Sequence, residues 1–230
     1  MQEHWINKGS STLLLFFSGW GMDERPTMHL DTGDRDLCTC FDYQDRKVPE
    51  SCIHRWCTYP EIVLAGWSLG VWAAQDILRD QADVCSRIVR SVAINGTLSP
   101  VDDMEGIPRN VFQGTLEGLN EASLDKFFRR MTGSAQDYEA FALRAPRRSL
   151  QDVKEELSAL LAGVDDSKAS GIMDTSTSLI WDEAWIGNRD RIFPPDNMRR
   201  YWDGRTRVRE LDLPHYPFGA FDHWRNILGA

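Results

Sequence analysis

Ser68 stands between two glycines in Glu61-Ile-Val-Leu-Ala-Gly66-Trp67-Ser68-Leu69-Gly70-Val-Trp72, where a short apolar run ends abruptly. A serine hydroxyl is a poor nucleophile near neutrality. It reacts when a base lies within hydrogen-bond reach and an acid orients that base. The apolar run before Ser68 and the helical spacing after it describe a strand-to-helix turn, too tight for bulky residues two positions either side. Such a turn lifts the hydroxyl above the carboxyl end of the strand. The backbone N–H of Leu69 then points to where an acyl oxyanion would form. Phe17-Ser18-Gly19-Trp20-Gly21 follows an earlier apolar run, and its glycines let the backbone approach the same point. The N–H of Trp20 is therefore assigned as the second oxyanion donor.

Five histidines could supply the base. His4, His29 and His54 follow no clear strand, and His223 falls off the apolar face of the closing segment. His215 comes directly after the last strand candidate, between Pro214 and Pro217, where its ring can swing over the edge of a sheet. Asp190 occupies the loop after the penultimate strand candidate, whereas Asp182 and Glu183 stand at the other end of that strand. A helix cap or an ion pair with Arg189 or Arg191 is the competing role for Asp190. The order Ser68, Asp190, His215 is that of an α/β-hydrolase triad.

These side chains need a sheet to bring them together. Thr12–Phe17, Glu61–Ala65 and Ile88–Ile94 are near-continuous apolar runs, the pattern of strands buried on both faces. Leu37–Tyr43 is a weaker candidate. Strands return at Glu183–Gly187 and Thr206–Leu213. Val71–Leu78 has helical spacing directly after the serine, so strand, turn, helix and strand succeed one another as in an α/β fold with a mostly parallel sheet. Residues 97–177 contain no good strand and read as a helical insertion within one domain spanning 1–230. Helices are expected over Glu121–Met131 and Gln136–Leu143. A third starts from a cap at Ser149, with Gly163 as its stop. Phe221, Trp224, Ile227 and Leu228 suggest a closing helix.

The composition sets bounds. A chain of 230 residues carrying −9 net charge is one domain's length and a poor match for non-specific nucleic-acid binding. No apolar run approaches the eighteen or so residues of a membrane span, and the N-terminus lacks a secretion signal, so a cytoplasmic location is expected. Five cysteines without paired C-x-x-C spacing argue against a structural metal. Cys38 and Cys40 read as small buried strand residues. No metal or cofactor is expected.

Phe16-Phe-Ser-Gly-Trp-Gly-Met-Asp23, Gly66-Trp-Ser-Leu-Gly-Val-Trp72, Ala93-Ile-Asn-Gly-Thr97, Asp190-Arg-Ile-Phe-Pro194 and Pro214-His-Tyr-Pro-Phe218 together resemble the BioG family. These are α/β-hydrolase esterases that cleave the methyl ester of pimeloyl-[acyl-carrier protein] in biotin synthesis. The resemblance covers nearly the whole chain and is weakest in the helical insertion. It implies Ser68 as nucleophile, Asp190 as acid, His215 as base, and Trp20 with Leu69 as oxyanion donors. Related hydrolases often carry His-Gly ahead of the oxyanion residue. Here Ser18-Gly19 stands there, so another group must orient the loop.

By the same resemblance the insertion is a lid. Lys126, Arg129, Arg130, Arg144, Arg147 and Arg148 outnumber Asp137 and Glu139 between positions 126 and 148, in a chain that is negative overall. An acidic carrier protein would be steered to such a patch. Phe127, Phe128 and Phe141 are interleaved with those charges. Their first role is to pack the lid onto the sheet; with Trp20 and Trp67 they are also the expected lining of an acyl pocket. A thioesterase, a general esterase for small esters and a non-catalytic binding protein on the same scaffold remain as alternatives.

Overall fold

β2 (Thr12–Phe17) and β4 (Glu61–Trp67) lie side by side, in parallel, at the centre of the sheet. Successive residues of each enter opposite layers, as side chains on a strand must. Leu13, Leu15, Ile62 and Leu64 join one buried cluster, while Leu14, Phe16, Val63 and Ala65 join the other. Both faces are therefore dry, and each strand reads as unbroken apolar sequence. Each fully buried large side chain here contributes about 1.5–3 kcal/mol.

The computed structural model describes residues 1–169 and 181–229. Among them, the other strands are β1 (Gln2–Ile6), β3 (Asp36–Phe41), β5 (Ile88–Ile94), β6 (Glu183–Gly187) and β7 (Arg207–Leu211). The sheet order is β1-β3-β2-β4-β5-β6-β7, with only β1 antiparallel to its neighbour. This is the α/β architecture expected from the sequence. β1 escaped notice because it is a half-buried edge strand with no apolar run. It is defined by its backbone pairing to β3 and not by hydropathy. Cys38 and Cys40 are buried in β3 as free thiols.

The helices are α1 (Glu50–Trp56), α2 (Leu69–Leu78), α3 (Ala82–Cys85), α4 (Arg109–Glu117), α5 (Glu121–Thr132), α6 (Ala135–Ala142), α7 (Leu150–Ala169), α8 (Pro195–Trp202) and α9 (Arg225–Leu228). α4 to α7 fall between β5 and β6, where the helical insertion was expected. Its last expected residues, 170–177, lie outside the described residues. Ser149 caps α7 as its spacing suggests, its hydroxyl accepting the Asp152 N–H at 3.1 Å.

Two local expectations fail. Gly163 does not stop α7, which continues to Ala169. The guanidinium of Arg46 fills the space beside it, 2.3 Å from where a Cβ would be, so the glycine makes room for a neighbour. The chain end is also not one helix. A 3-10 turn at Phe218–Ala220 and an extended Phe221 precede the single turn of α9. The Asp31 N–H bonds to the Asp222 carbonyl at 2.8 Å, and the Trp224 N–H to the Asp31 carbonyl at 3.0 Å. Those tertiary bonds override the helical spacing.

Among the described residues no helix is long and apolar enough to cross a membrane. The loops after β2, β4, β5, β6 and β7 all emerge at the carboxyl edge of the sheet, where open α/β sheets bind ligands. Gly70 sets how closely α2 can approach that edge. A Cβ there would lie 2.3 Å from both the Phe17 and Ser18 carbonyl oxygens. Gly70→Ala is expected to destabilise the fold by about 3 kcal/mol or more, measured as a lowered midpoint of denaturant unfolding.

Candidate active site

The turn after β4 forces Ser68 to φ 57° and ψ −127°, a left-handed conformation uncommon for any residue but glycine. Its N–H bonds to the Ile94 carbonyl at 2.9 Å, and its carbonyl accepts the Val71 N–H at 3.1 Å. A Cβ at position 66 would sit 3.0 Å from the Val71 Cα, so the glycines two residues either side do give the turn its clearance. The Ser68 hydroxyl projects at the carboxyl edge, at the start of α2.

His215 Nε2 lies 3.0 Å from Ser68 Oγ, and His215 Nδ1 lies 2.6 Å from Asp190 Oδ2. The two Asp190 oxygens have separate tasks. Oδ1 accepts the Ile192 and Phe193 N–H groups at 2.7 and 2.8 Å, which leaves Oδ2 facing the imidazole. With a carboxylate on Nδ1, that nitrogen carries the proton and Nε2 is free to accept from the serine. Arg189 turns instead to Asp212 at 2.9 Å, so it does not claim Asp190. His223 pairs with Asp31, away from this cluster.

The His215 loop is fixed through its backbone. Trp67 Nε1 donates to the His215 carbonyl at 2.8 Å. Asn95 Nδ2 lies 3.0 Å from the carbonyls of both Pro214 and His215, and Asn95 Oδ1 accepts the Gly187 N–H at 2.7 Å. Asn95 itself has φ 47°. No role for it was drawn from the sequence, although an Asn-Gly pair at a strand end is a signal of positive φ.

Leu69 opens α2, where its N–H has no intrahelical acceptor. The Trp20 N–H takes no part in the backbone hydrogen bonds among the described residues. Gly19 lets the loop approach, since a Cβ there would be 3.0 Å from the Trp67 ring.

A narrow cavity opens at Ser68 and His215. Trp20, Trp67 and Phe127 line it as expected. Phe128 and Phe141 do not. Their rings meet at a tilt, 5.3 Å between ring centres, and Phe141, 1 % exposed, packs on Tyr216 beneath the insertion. The missing wall comes from Ile107 and from Val111, Phe112 and Thr115 of α4, a helix the sequence reading passed over, and from Leu157 and Ile192. Val111, Phe112 and Leu116, apolar at helical spacing, would have signalled it.

The expected basic patch is smaller than its sequence. Arg148 is a correction: its side chain is 7 % exposed, paired with Glu156 and lying 2.7 Å from Asp42 Oδ1, so it cannot meet a partner. Arg129 is exposed but pairs with Asp125 at 2.8 Å and covers the Tyr138 ring. Arg130 is exposed, donates to the Arg191 carbonyl and borders the cavity. Lys126 and Arg147 are exposed, and Arg144 is half-buried beside a second cavity.

A family model for pimeloyl-ACP methyl esterase BioG matches residues 1–227. The chain belongs to the BioG family. A crystal structure of selenomethionine BioG from Haemophilus influenzae superposes with a TM-score of 0.87 at 35 % identity, covering 99 % of this chain and 100 % of that one. A malonyl-[acyl-carrier protein] O-methyltransferase of Bacteroides fragilis is 41 % identical over 204 residues. That match takes 88 % of this chain but spans only 39 % of the relative's length. A putative aryl esterase of Burkholderia cenocepacia, 14 % identical with a TM-score of 0.64 over 95 % of this chain and 88 % of that one, shares the fold.

Within this BioG-family fold, Asn95 joins the ends of β5 and β6 to the histidine loop. Asn95→Ala would leave the Gly187 N–H buried and unpaired, a loss of about 1–3 kcal/mol. The melting temperature should fall by several degrees, and ester turnover should fall further than the folded fraction does. Calorimetry and a rate assay on the same sample check this.

Proposed function

We propose that the chain is a serine carboxylesterase that hydrolyses the methyl ester of pimeloyl-[acyl-carrier protein] in biotin biosynthesis, acting in the cytoplasm. The observation that carries this reading is the contact chain Asp190–His215–Ser68 at the mouth of an apolar cavity, in a chain of the BioG family. Proteins that keep a hydrolase scaffold only for binding have no need of a buried acid aligned this closely. The methyltransferase relative adds chemical sense. An enzyme named for placing a methyl group on a carrier-bound acyl carboxylate makes the kind of bond that this esterase would remove.

In the proposed mechanism, Ser68 Oγ attacks the ester carbonyl carbon while His215 Nε2 takes its proton. The carbonyl electron pair moves onto oxygen, where the N–H groups of Trp20 and Leu69 hold it. Such a donor typically stabilises the transition state by about 3–4 kcal/mol. The intermediate collapses, and the departing methoxide takes the proton from His215 and leaves as methanol. Water then attacks the acyl-serine with His215 again as base, and the free carboxylate is released. Asp190 holds the ring tautomer and balances the imidazolium charge in both halves.

Residues 97–169 serve as the lid, with α4, α5 and α7 as cavity walls. The carrier docks on the cations that remain, exposed Lys126, Arg130 and Arg147 with half-buried Arg144, and its acyl chain enters past Phe127.

Ser68→Ala should abolish turnover and fluorophosphonate labelling while melting temperature and carrier binding stay unchanged. Asp190→Asn should lower kcat by about three to four powers of ten. With carrier-bound pimeloyl methyl ester as substrate, methanol should appear and free carrier should not. Release of free carrier would make the enzyme a thioesterase. Lys126→Glu should reduce kcat/KM several-fold on the carrier-bound ester at low salt and leave a small free ester unaffected. Equal losses on both would remove the docking role.

A further inference from the structure

The orienting group missing before the oxyanion loop has a substitute on α7. Glu156, on α7, is fully buried and reaches the loop that carries Trp20. Its Oε2 accepts the Gly21 N–H at 3.0 Å, and its Oε1 accepts the Tyr43 N–H at 3.1 Å. The Tyr43 hydroxyl donates to the Ser18 carbonyl at 2.8 Å, bracing the loop from its other end. Arg148 supplies the counter-charge. Its Nη1 donates to Glu156 and its Nη2 lies 2.7 Å from Asp42, a residue held at φ 61°. The same helix also holds the Trp20 side chain, whose Nε1 donates to the Val153 carbonyl at 2.8 Å. Gly21 has φ +74°, and a Cβ there would come within 3.3 Å of Val153. The loop therefore lies pressed beneath α7, with little play.

A buried carboxylate is costly to maintain for fold stability alone. An apolar pair of similar volume often does as well or better. What it gives here is direction. Two charge-assisted bonds fix two backbone N–H groups in space, and the peptide plane between Trp20 and Gly21 is one of them. That plane lies immediately after the Trp20 N–H, so rotation of one displaces the other.

We propose that Glu156, held by Arg148, is a positioning residue that aims the Trp20 N–H at the reacting oxygen and couples the seating of α7 to the competence of the oxyanion hole. This rests on the serine esterase reading above. An esterase whose lid helix is displaced would keep its triad and lose its transition-state donor.

The test uses the full chain, p-nitrophenyl butyrate as a small ester, and a trifluoromethyl ketone as transition-state mimic. Ser68 Oγ adds to the ketone carbon, its proton passes to His215, and the resulting alkoxide must enter the oxyanion hole. Rates are expressed per site titrated to completion with fluorophosphonate. For Glu156→Gln, kcat should fall by about tenfold or more, the range of a weakened oxyanion donor. KM should stay within about twofold of the parent, and affinity for the ketone should fall in step with kcat. A loss of fold alone would reduce the titratable sites and leave these per-site values unchanged.

Where Glu156→Gln does not fold, Tyr43→Phe carries the test. It removes one hydroxyl and should lower kcat and ketone affinity together by several-fold. A folded variant with parental kcat overturns the proposal, as does a fall in kcat without a matching fall in ketone affinity. Residual turnover by Ser68→Ala would sink the esterase reading and this one with it. An inactive Ser68→Ala beside an unaffected Glu156→Gln would sink this one alone.

Discussion

The structure depends on how closely four backbone segments meet at the carboxyl edge of the sheet. Ser68 turns at positive φ, with the carbonyls of Phe17 and Ser18 against Gly70 and its own carbonyl against Gly96. A Cβ at either glycine would stand 2.3 Å from a carbonyl oxygen. This crowding orders the site. It brings the loop after β2 beside Ser68, so that an N–H from each side of the turn can face one point. It also sets the end of β5 next to the turn, and Asn95 passes that registry on to the histidine loop.

Two buried carboxylates at this edge are held in opposite ways. Asp190 accepts two backbone N–H groups on one oxygen and an imidazole on the other, so its orientation is settled by groups that hardly move. Glu156 is buried to the same degree, and burial pushes its carboxyl above the ordinary range while Arg148 and the Tyr43 and Gly21 N–H groups pull it back. The first belongs to loops of the sheet; the second arrives on an inserted helix. The central sheet thus supplies Ser68, Asp190 and His215, while the insertion supplies cavity walls and holds the loop after β2. This division of labour fits a fold whose chemistry stays at one edge while its covering segments vary.

The insertion shows why counting charges along a chain misleads. Six cations between Lys126 and Arg148 look like one surface, yet Arg148 points inward and Arg129 is matched by Asp125, just before the stretch. Helix geometry sends neighbours in sequence to different faces. The same geometry turned Phe128 and Phe141 into the packing beneath the insertion and gave their expected places to α4.

Ser68 and its glycines were legible in the sequence because a strand-to-helix turn is a local steric problem, solved by residues within two positions of each other. The central strands were legible because burial on both faces leaves an unbroken apolar run. His215 and Asp190 could be chosen by their places after successive strands, since a parallel sheet sends all such loops to one edge. The primary order could not say where long side chains would end up. Arg148 and Glu156 meet the loop after β2, Arg46 lies against Gly163, and β1 finds the free edge of β3. Those outcomes belong to contacts between distant segments, whose energies depend on what each side chain faces after the chain has folded.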